Sequence, residues 1–310
     1  MAGAVDGLLG LLGPEILDPE EEAFLLFSQS IPSNNELGIV DPKSSTVELT
    51  VNGRDLTVTQ SPSVLSSNRA GGTTGAVVWK VTPMFASWLA SPTNILFRAG
   101  VLSSSSTVLE LGCGVSAVVG LALAPLVSRY VLSDQPYVAR FVEQNLEQNR
   151  KALAPSGRQH QPAGKRGKGA KAGGASSSSS SSSGTGAAGN IAFHPLDWEA
   201  DTPTAELTGR GAAARSFDLV LGCDCVYNDA LVQPFAQACL DACRLRSVDG
   251  DSGEPCVCLV AQQLRSPDVF EAWLREFCAR GFRAWRVPDA ELPEGLRSDM
   301  GFVVHVGVLK

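Results

Sequence analysis

Hydrophobic and polar positions alternate over 46–51 and resume over 56–58: Val47, Leu49 and Val51, then Leu56 and Val58, are separated by polar residues. Asn52-Gly53 between the two runs suits a type I′ turn, so the pattern predicts a β-hairpin over 46–59. It belongs to an N-terminal extension, residues 1–70. Short apolar runs at 107–111, 130–133, 191–196, 217–221 and 257–261 predict strands, and 116–124, 137–149, 230–245 and 267–280 have helical character. Thr82-Pro83 should start a further helix that buries Trp88. Strands alternating with helices imply an α/β fold whose mostly parallel sheet is covered on both faces. The last two runs, 282–287 and 302–309, are joined by a loop containing Pro, Glu and Gly instead of a helix. A terminal antiparallel pair therefore completes a Rossmann-like, seven-stranded sheet.

Composition refines this picture in one respect. The net charge of −7 averages two unlike parts, because residues 151–190 hold six Lys or Arg and no Asp or Glu, leaving −13 on the rest. Within that basic tract, 155–189 is mostly Gly, Ala, Ser, Lys and Arg, including Ser176 to Ser183 without interruption. It has almost nothing to bury and is expected to be a disordered insertion within a catalytic domain spanning 71–310. An acidic body lacks the broad basic face of nonspecific nucleic-acid binding and favours a basic partner. No apolar run approaches the roughly 20 residues of a membrane span, and the apolar start leads into Glu20, Glu21 and Glu22 without a basic flank. A cytoplasmic or nuclear monomer is expected. The eight cysteines, at spacings tighter than most zinc sites and within apolar runs, read as buried reduced thiols, with no metal site.

The candidate chemistry centres on Val108-Leu109-Glu110-Leu111-Gly112-Cys113-Gly114, a strand entering glycines and then a small-residue helix. Glycines there permit close backbone approach to a ligand, and the helix start offers free N–H donors. The dinucleotide fingerprint G-x-G-x-x-G fails, since position 117 is Ala. Glu110, two residues before the first glycine, would face a cationic ligand better than a pyrophosphate. Asp134 closes the second strand 24 residues after Glu110, where a carboxylate can accept ribose hydroxyls or cap the next helix. Asp197-Trp198 follows the third strand, and Cys223-Asp224-Cys225-Val226-Tyr227 ends the fourth. Asp218 sits at that strand's distal start, in a structural role.

The E-x-G-x-G loop resembles the S-adenosylmethionine loop of the class I, seven-strand methyltransferases. With Asp224-x-x-Tyr227, Leu196-Asp197-Trp198 and Thr74-Gly75-x-x-x-Trp79, the chain is similar to the protein-lysine methyltransferases of family 16, also called the methyltransferase-like 21 group. Ser133-Asp134-Gln135 and Gly114-Val115-Ser116 most resemble the fungal ribosomal lysine N-methyltransferases. The resemblance covers about 74–150 and 190–260, and Ser116 departs from it by replacing a customary glycine. It implies S-adenosylmethionine as cofactor, held by Trp79, Glu110, Gly112, Gly114, Asp134, Asp197, Trp198 and Cys223. It further implies methyl transfer to a lysine of a ribosomal protein of the large subunit, although the same loop would serve another protein or small-molecule acceptor, or a noncatalytic binding module. Beyond the fourth strand, Asp224 can hold the incoming ammonium and Tyr227 can steer it by cation–π attraction; a helix N-cap and a packed ring are the alternative for these two.

Overall fold

The computed structural model describes residues 3–31, 38–67, 72–151, 189–209, 216–248 and 253–310. All of the 155–189 insertion but Gly189 falls outside these ranges. From the N-terminus, α1 (Ala4–Leu9), β1 (Glu15–Ile16) and α2 (Pro19–Phe27) precede a hairpin of β2 (Thr46–Val51) and β3 (Arg54–Thr59). Next come α3 (Pro62–Leu65), α4 (Val81–Leu89) and α5 (Ile95–Ala99). The central alternation follows as β4 (Thr107–Leu111), α6 (Val118–Leu123), β5 (Arg129–Asp134), α7 (Ala139–Gln148), β6 (Ile191–Pro195) and β7 (Leu219–Cys223). The chain ends with α8 (Asp229–Val248), β8 (Val257–Gln263), α9 (Pro267–Ala279), β9 (Phe282–Arg286) and β10 (Phe302–Leu309).

The sheet runs β1-β9-β10-β8-β7-β4-β5-β6, with β4 to β8 parallel and β10 antiparallel to both β8 and β9. It is the expected mostly parallel sheet with an antiparallel terminal pair, enlarged to eight strands by β1 on the edge of β9. Two residues of β1 are too few for a hydrophobic alternation to register in the sequence. The side-chain period of two sorts each strand between the two faces. Val108, Tyr130, Leu132, Leu219 and Leu221 pack on one side with α4 and α6, and Leu109, Leu111, Val131 and Val220 on the other with α8 and α9.

The hairpin has the expected register, with Val51 opposite Arg54 and positive φ at both Asn52 and Gly53. It is more than an accessory. Asn145 on α7 accepts from Thr59 N at 2.7 Å, and its Nδ2 donates to Thr59 O at 2.9 Å and to Val115 O at 2.7 Å. One buried amide thus ties the hairpin to the loop after β4. Asn149 repeats the grip one turn on, through both Thr57 N and Thr57 O. The chain leaves β4 in one direction toward β5 and β6, then returns to β7 on its other side. The carboxyl ends of β4 and β7 therefore border a crevice, the usual ligand position in such sheets.

Candidate functional site

An open cavity lies at this switch point, lined by the turns after β4, β5, β6 and β7 and by the segment 72–82. Nine of the ten expected site residues, Trp79, Gly112, Gly114, Asp134, Asp197, Trp198, Cys223, Asp224 and Tyr227, are on its wall, although they span nearly 150 positions of sequence. Ser116, the departure from the family pattern, lines it too.

Glu110 is the exception and corrects the expectation that it faces a cationic ligand. It sits mid-strand on the same face as Val108, is buried, and accepts a hydrogen bond from the Tyr130 hydroxyl at 2.7 Å instead of lining the cavity. Burial, reinforced by the neighbouring Asp134 charge, pushes its carboxyl up to about 7, against the opposing effect of the tyrosine bond.

The loop after β4 is shaped by its neighbours. Gly112 and Gly114 both adopt positive φ, and a Cβ on Gly112 would lie 2.8 Å from Cys225 Sγ and 3.0 Å from the Trp198 ring. On Gly114 it would lie 3.0 Å from Gly75 O, the carbonyl that accepts from Val115 N at 2.7 Å. These glycines are thus required by the packing of protein on protein as well as by any ligand. Sequence reasoning supplied only the second cause.

Asp134 holds the same loop from the other strand. Its two oxygens accept from Gly114 N at 2.8 Å and Gln135 N at 2.7 Å, and burial raises its carboxyl to about 6 despite those two donors. It does not cap the following helical turn, whose N-cap is Gln135. Asp197 accepts from Glu199 N at 3.0 Å and organises the turn after β6. Trp198 packs on Phe235 with ring centroids 5.1 Å apart, and its Nε1 is buried with no acceptor among the described residues. Asp218 has the expected structural role, accepting from Thr107 N at 2.7 Å and pairing with Arg246 at 2.8 Å.

Asp224 and Tyr227 line the cavity from the turn after β7. Asp224 has φ +59°, is buried, and is forked by Arg265, whose two terminal nitrogens each donate to one carboxylate oxygen at 2.6 Å. The guanidinium also lies over the Trp79 ring at 5.1 Å. Arg265 was not apparent from the sequence: it lies 41 positions away, past the end of β8, and only the pairing of β8 with β7 brings it here. Tyr227 accepts from the Thr74 hydroxyl at 2.7 Å, and Trp79 Nε1 donates to Thr74 O at 2.9 Å. Thr74, Gly75 and Tyr137 also line the cavity. All eight cysteines are free and all but Cys278 are buried.

Among the described residues the lining's charge is one-sided: Asp134, Asp197, Glu199 and Asp224, the last paired with Arg265, and no Lys or Arg. Such a wall suits a cationic ligand and opposes a phosphate or pyrophosphate.

Residues 59–160 match the lysine methyltransferase family model. Over 255 residues the chain is 27% identical to a diaminohydroxyphosphoribosylamino-pyrimidine deaminase of Schizosaccharomyces pombe, covering 82% of this chain and 50% of that protein. It is 30% identical over 238 residues to ribosomal lysine N-methyltransferase 5 of Zygosaccharomyces rouxii, covering 67% of this chain and 65% of the relative. The corresponding protein of Lachancea thermotolerans is 25% identical over 301 residues, 82% of this chain and 85% of the relative. The chain thus spans half the length of the first of these relatives and just under two thirds of the second. The family match begins at the end of β3, runs through the glycine loop and Asp134, and contains the cavity's Thr74–Trp79 wall. Through this stretch the chain is similar to the lysine methyltransferase family.

Proposed function

We propose that this protein uses S-adenosylmethionine to methylate the side-chain amine of a lysine in a ribosomal protein of the large subunit. The observation that carries the reading is the acidic lining, which among the described residues holds no Lys or Arg, because both the sulfonium of that cofactor and the ammonium of the acceptor are cations. The residues present fit the cofactor. Asp134 faces the cavity and can accept from ribose hydroxyls, Asp197 can accept the adenine amino hydrogens, and Trp198 offers a ring beside them with one unpartnered buried donor. When bound, S-adenosylmethionine supplies an electrophilic methyl group.

The chain's own residues align and desolvate the acceptor. Lysine, with an ordinary pKa of about 10.4, must arrive as the free amine or shed its proton at the site. Tyr227 and Trp79 form the aromatic approach, held together through Thr74. Asp224, with both oxygens engaged by Arg265, acts as a positioning residue that braces the turn leading to Tyr227, and the ammonium proton leaves to water. This revises the role expected from sequence, in which Asp224 held the ammonium itself. The acidic body favours a Lys-rich protein partner over nucleic acid. No helix among the described residues is long and apolar enough to cross a membrane, and the reading includes action in the cytoplasm as a monomer.

Calorimetry with S-adenosylmethionine, followed by transfer of a labelled methyl group into ribosomal proteins, tests this. Saturable binding and label on a lysine of a large-subunit protein are expected. Absence of binding sinks the cofactor, and label confined to small molecules sinks the lysine acceptor.

A further inference from the structure

Beside α2, the segment 13–18 and the loop after β9 border a second cavity that the chemistry above does not use. Its rim is apolar and exposed: Leu17 is 85% and Leu25 46% exposed, and Phe24 next to it is 71% exposed. On the helix that carries Phe24 and Leu25, Ala23 and Leu26 already pack into the core, so those two exposed side chains are surplus to folding. Acidic groups surround them. Asp18, Glu21 and Asp289 line the cavity, and the Glu21 carboxylate has no ion-pair partner among the described residues. Glu15 and Glu22 are already engaged, by Arg283 and by His305 and Arg286. Exposed apolar side chains grouped in this way mark interaction surfaces, and the excess negative charge selects a basic occupant and repels phosphate.

Position within the sheet relates this groove to the catalytic cavity. Arg286, which lines it, ends β9, and β9 runs parallel to β8 because both are antiparallel to β10. Both cavities therefore open at the carboxyl edge of one sheet. From β7 to β9 is three strand steps, roughly 14 Å, a distance an extended chain covers in about four to six residues.

We propose that the groove docks a second stretch of the protein substrate, a basic segment carrying an apolar side chain, about four to six residues from the lysine in the catalytic cavity. The assignment rests on the lysine-methylation reading.

Two synthetic peptides test it, each with one lysine in a Gly-Ser host. The first carries Arg-Leu-Arg five residues to either side of the lysine, and the second has Ser in those places. Anisotropy and methyl transfer are measured with the full chain and with a Leu17→Ser, Glu21→Lys, Leu25→Ser variant, whose changes are all at exposed positions. The first peptide is expected to bind about tenfold tighter to the unaltered chain. The variant should lose that advantage while keeping its affinity for S-adenosylhomocysteine and its transfer to the second peptide. Equal affinity for both peptides, or an advantage that survives in the variant, overturns the proposal. So does self-association that the variant abolishes, which would assign the face to a second copy of the chain. Failure of transfer with the anisotropy difference intact would instead remove the lysine reading and leave a basic-peptide groove.

Discussion

The carboxylate of Asp134 accepts from Gly114 N at 2.8 Å, joining the end of β5 to the glycine loop after β4. The group expected to bind the ribose therefore also fixes the loop beneath it. Because burial raises this carboxyl to about 6, its acceptor strength is complete above that pH and is lost as pH falls through it. Affinity for S-adenosylhomocysteine should be flat above about pH 7 and fall toward tenfold per unit below about pH 6, the limit for one proton. Calorimetry across that range checks this, with Asp134→Asn expected to bind weakly and without the pH dependence. An unchanged affinity in that variant would remove Asp134 from the cofactor site.

Asp224 and Arg265 should behave as one unit. Asp224→Ala leaves the guanidinium without its partner, and Arg265→Ala leaves a buried carboxylate uncompensated. Each should cost about 2–3 kcal/mol of stability, at or below the low end for buried pairs because Arg265 partly faces water. The double variant should cost little more than either single change. Both single variants should retain cofactor binding within several-fold and lose methyl transfer, since the turn to Tyr227 loosens. Additive losses in chemical unfolding would show that the pair is not coupled.

Glu110 offers a stability test independent of catalysis. Its carboxyl sits at about 7 in the folded protein against an ordinary 4.5, so the folded state binds the extra proton. Stability from this group therefore falls as pH rises from about 4.5 through about 7, a window worth on the order of 3 kcal/mol at full shift. Glu110→Gln keeps an acceptor for the Tyr130 hydroxyl and has nothing to ionise. It should match the parent near pH 4.5 and exceed it at pH 8 by urea unfolding. A parallel pH dependence in both proteins would mean that Glu110 does not titrate in this window.

The parts of the fold legible in the sequence are those in which local periodicity and burial agree. The β4, β5, β7 and β8 runs are buried on both faces and read as short continuous apolar stretches, and Asn52-Gly53 announces its hairpin. Glu110 was misjudged because the motif gives its distance from the glycines and not the face of β4 it occupies. Arg265 was missed because pairing of β8 with β7 creates its contact, and no local pattern encodes a contact of that range. β1 was likewise hidden, since two residues make no period.

Gly114 separates conformational from packing requirements in the cofactor loop. Ala117, three residues on, already holds φ +51°, so a positive φ with a Cβ is tolerated in this segment, at a cost of about 1–2 kcal/mol. Gly114→Ala adds to that cost a Cβ 3.0 Å from Gly75 O, and relief requires the 72–79 segment to move. That movement would lengthen the Val115 N to Gly75 O hydrogen bond and shift Thr74 away from Tyr227. The substitution should therefore lower cofactor affinity and methyl transfer well beyond its effect on the melting temperature. Calorimetry and thermal unfolding of Gly114→Ala provide the check, with Ala117→Gly as the control that relieves φ strain without touching Gly75. If Gly114→Ala reduced stability alone and left affinity intact, the Gly75 contact would have no part in forming the site.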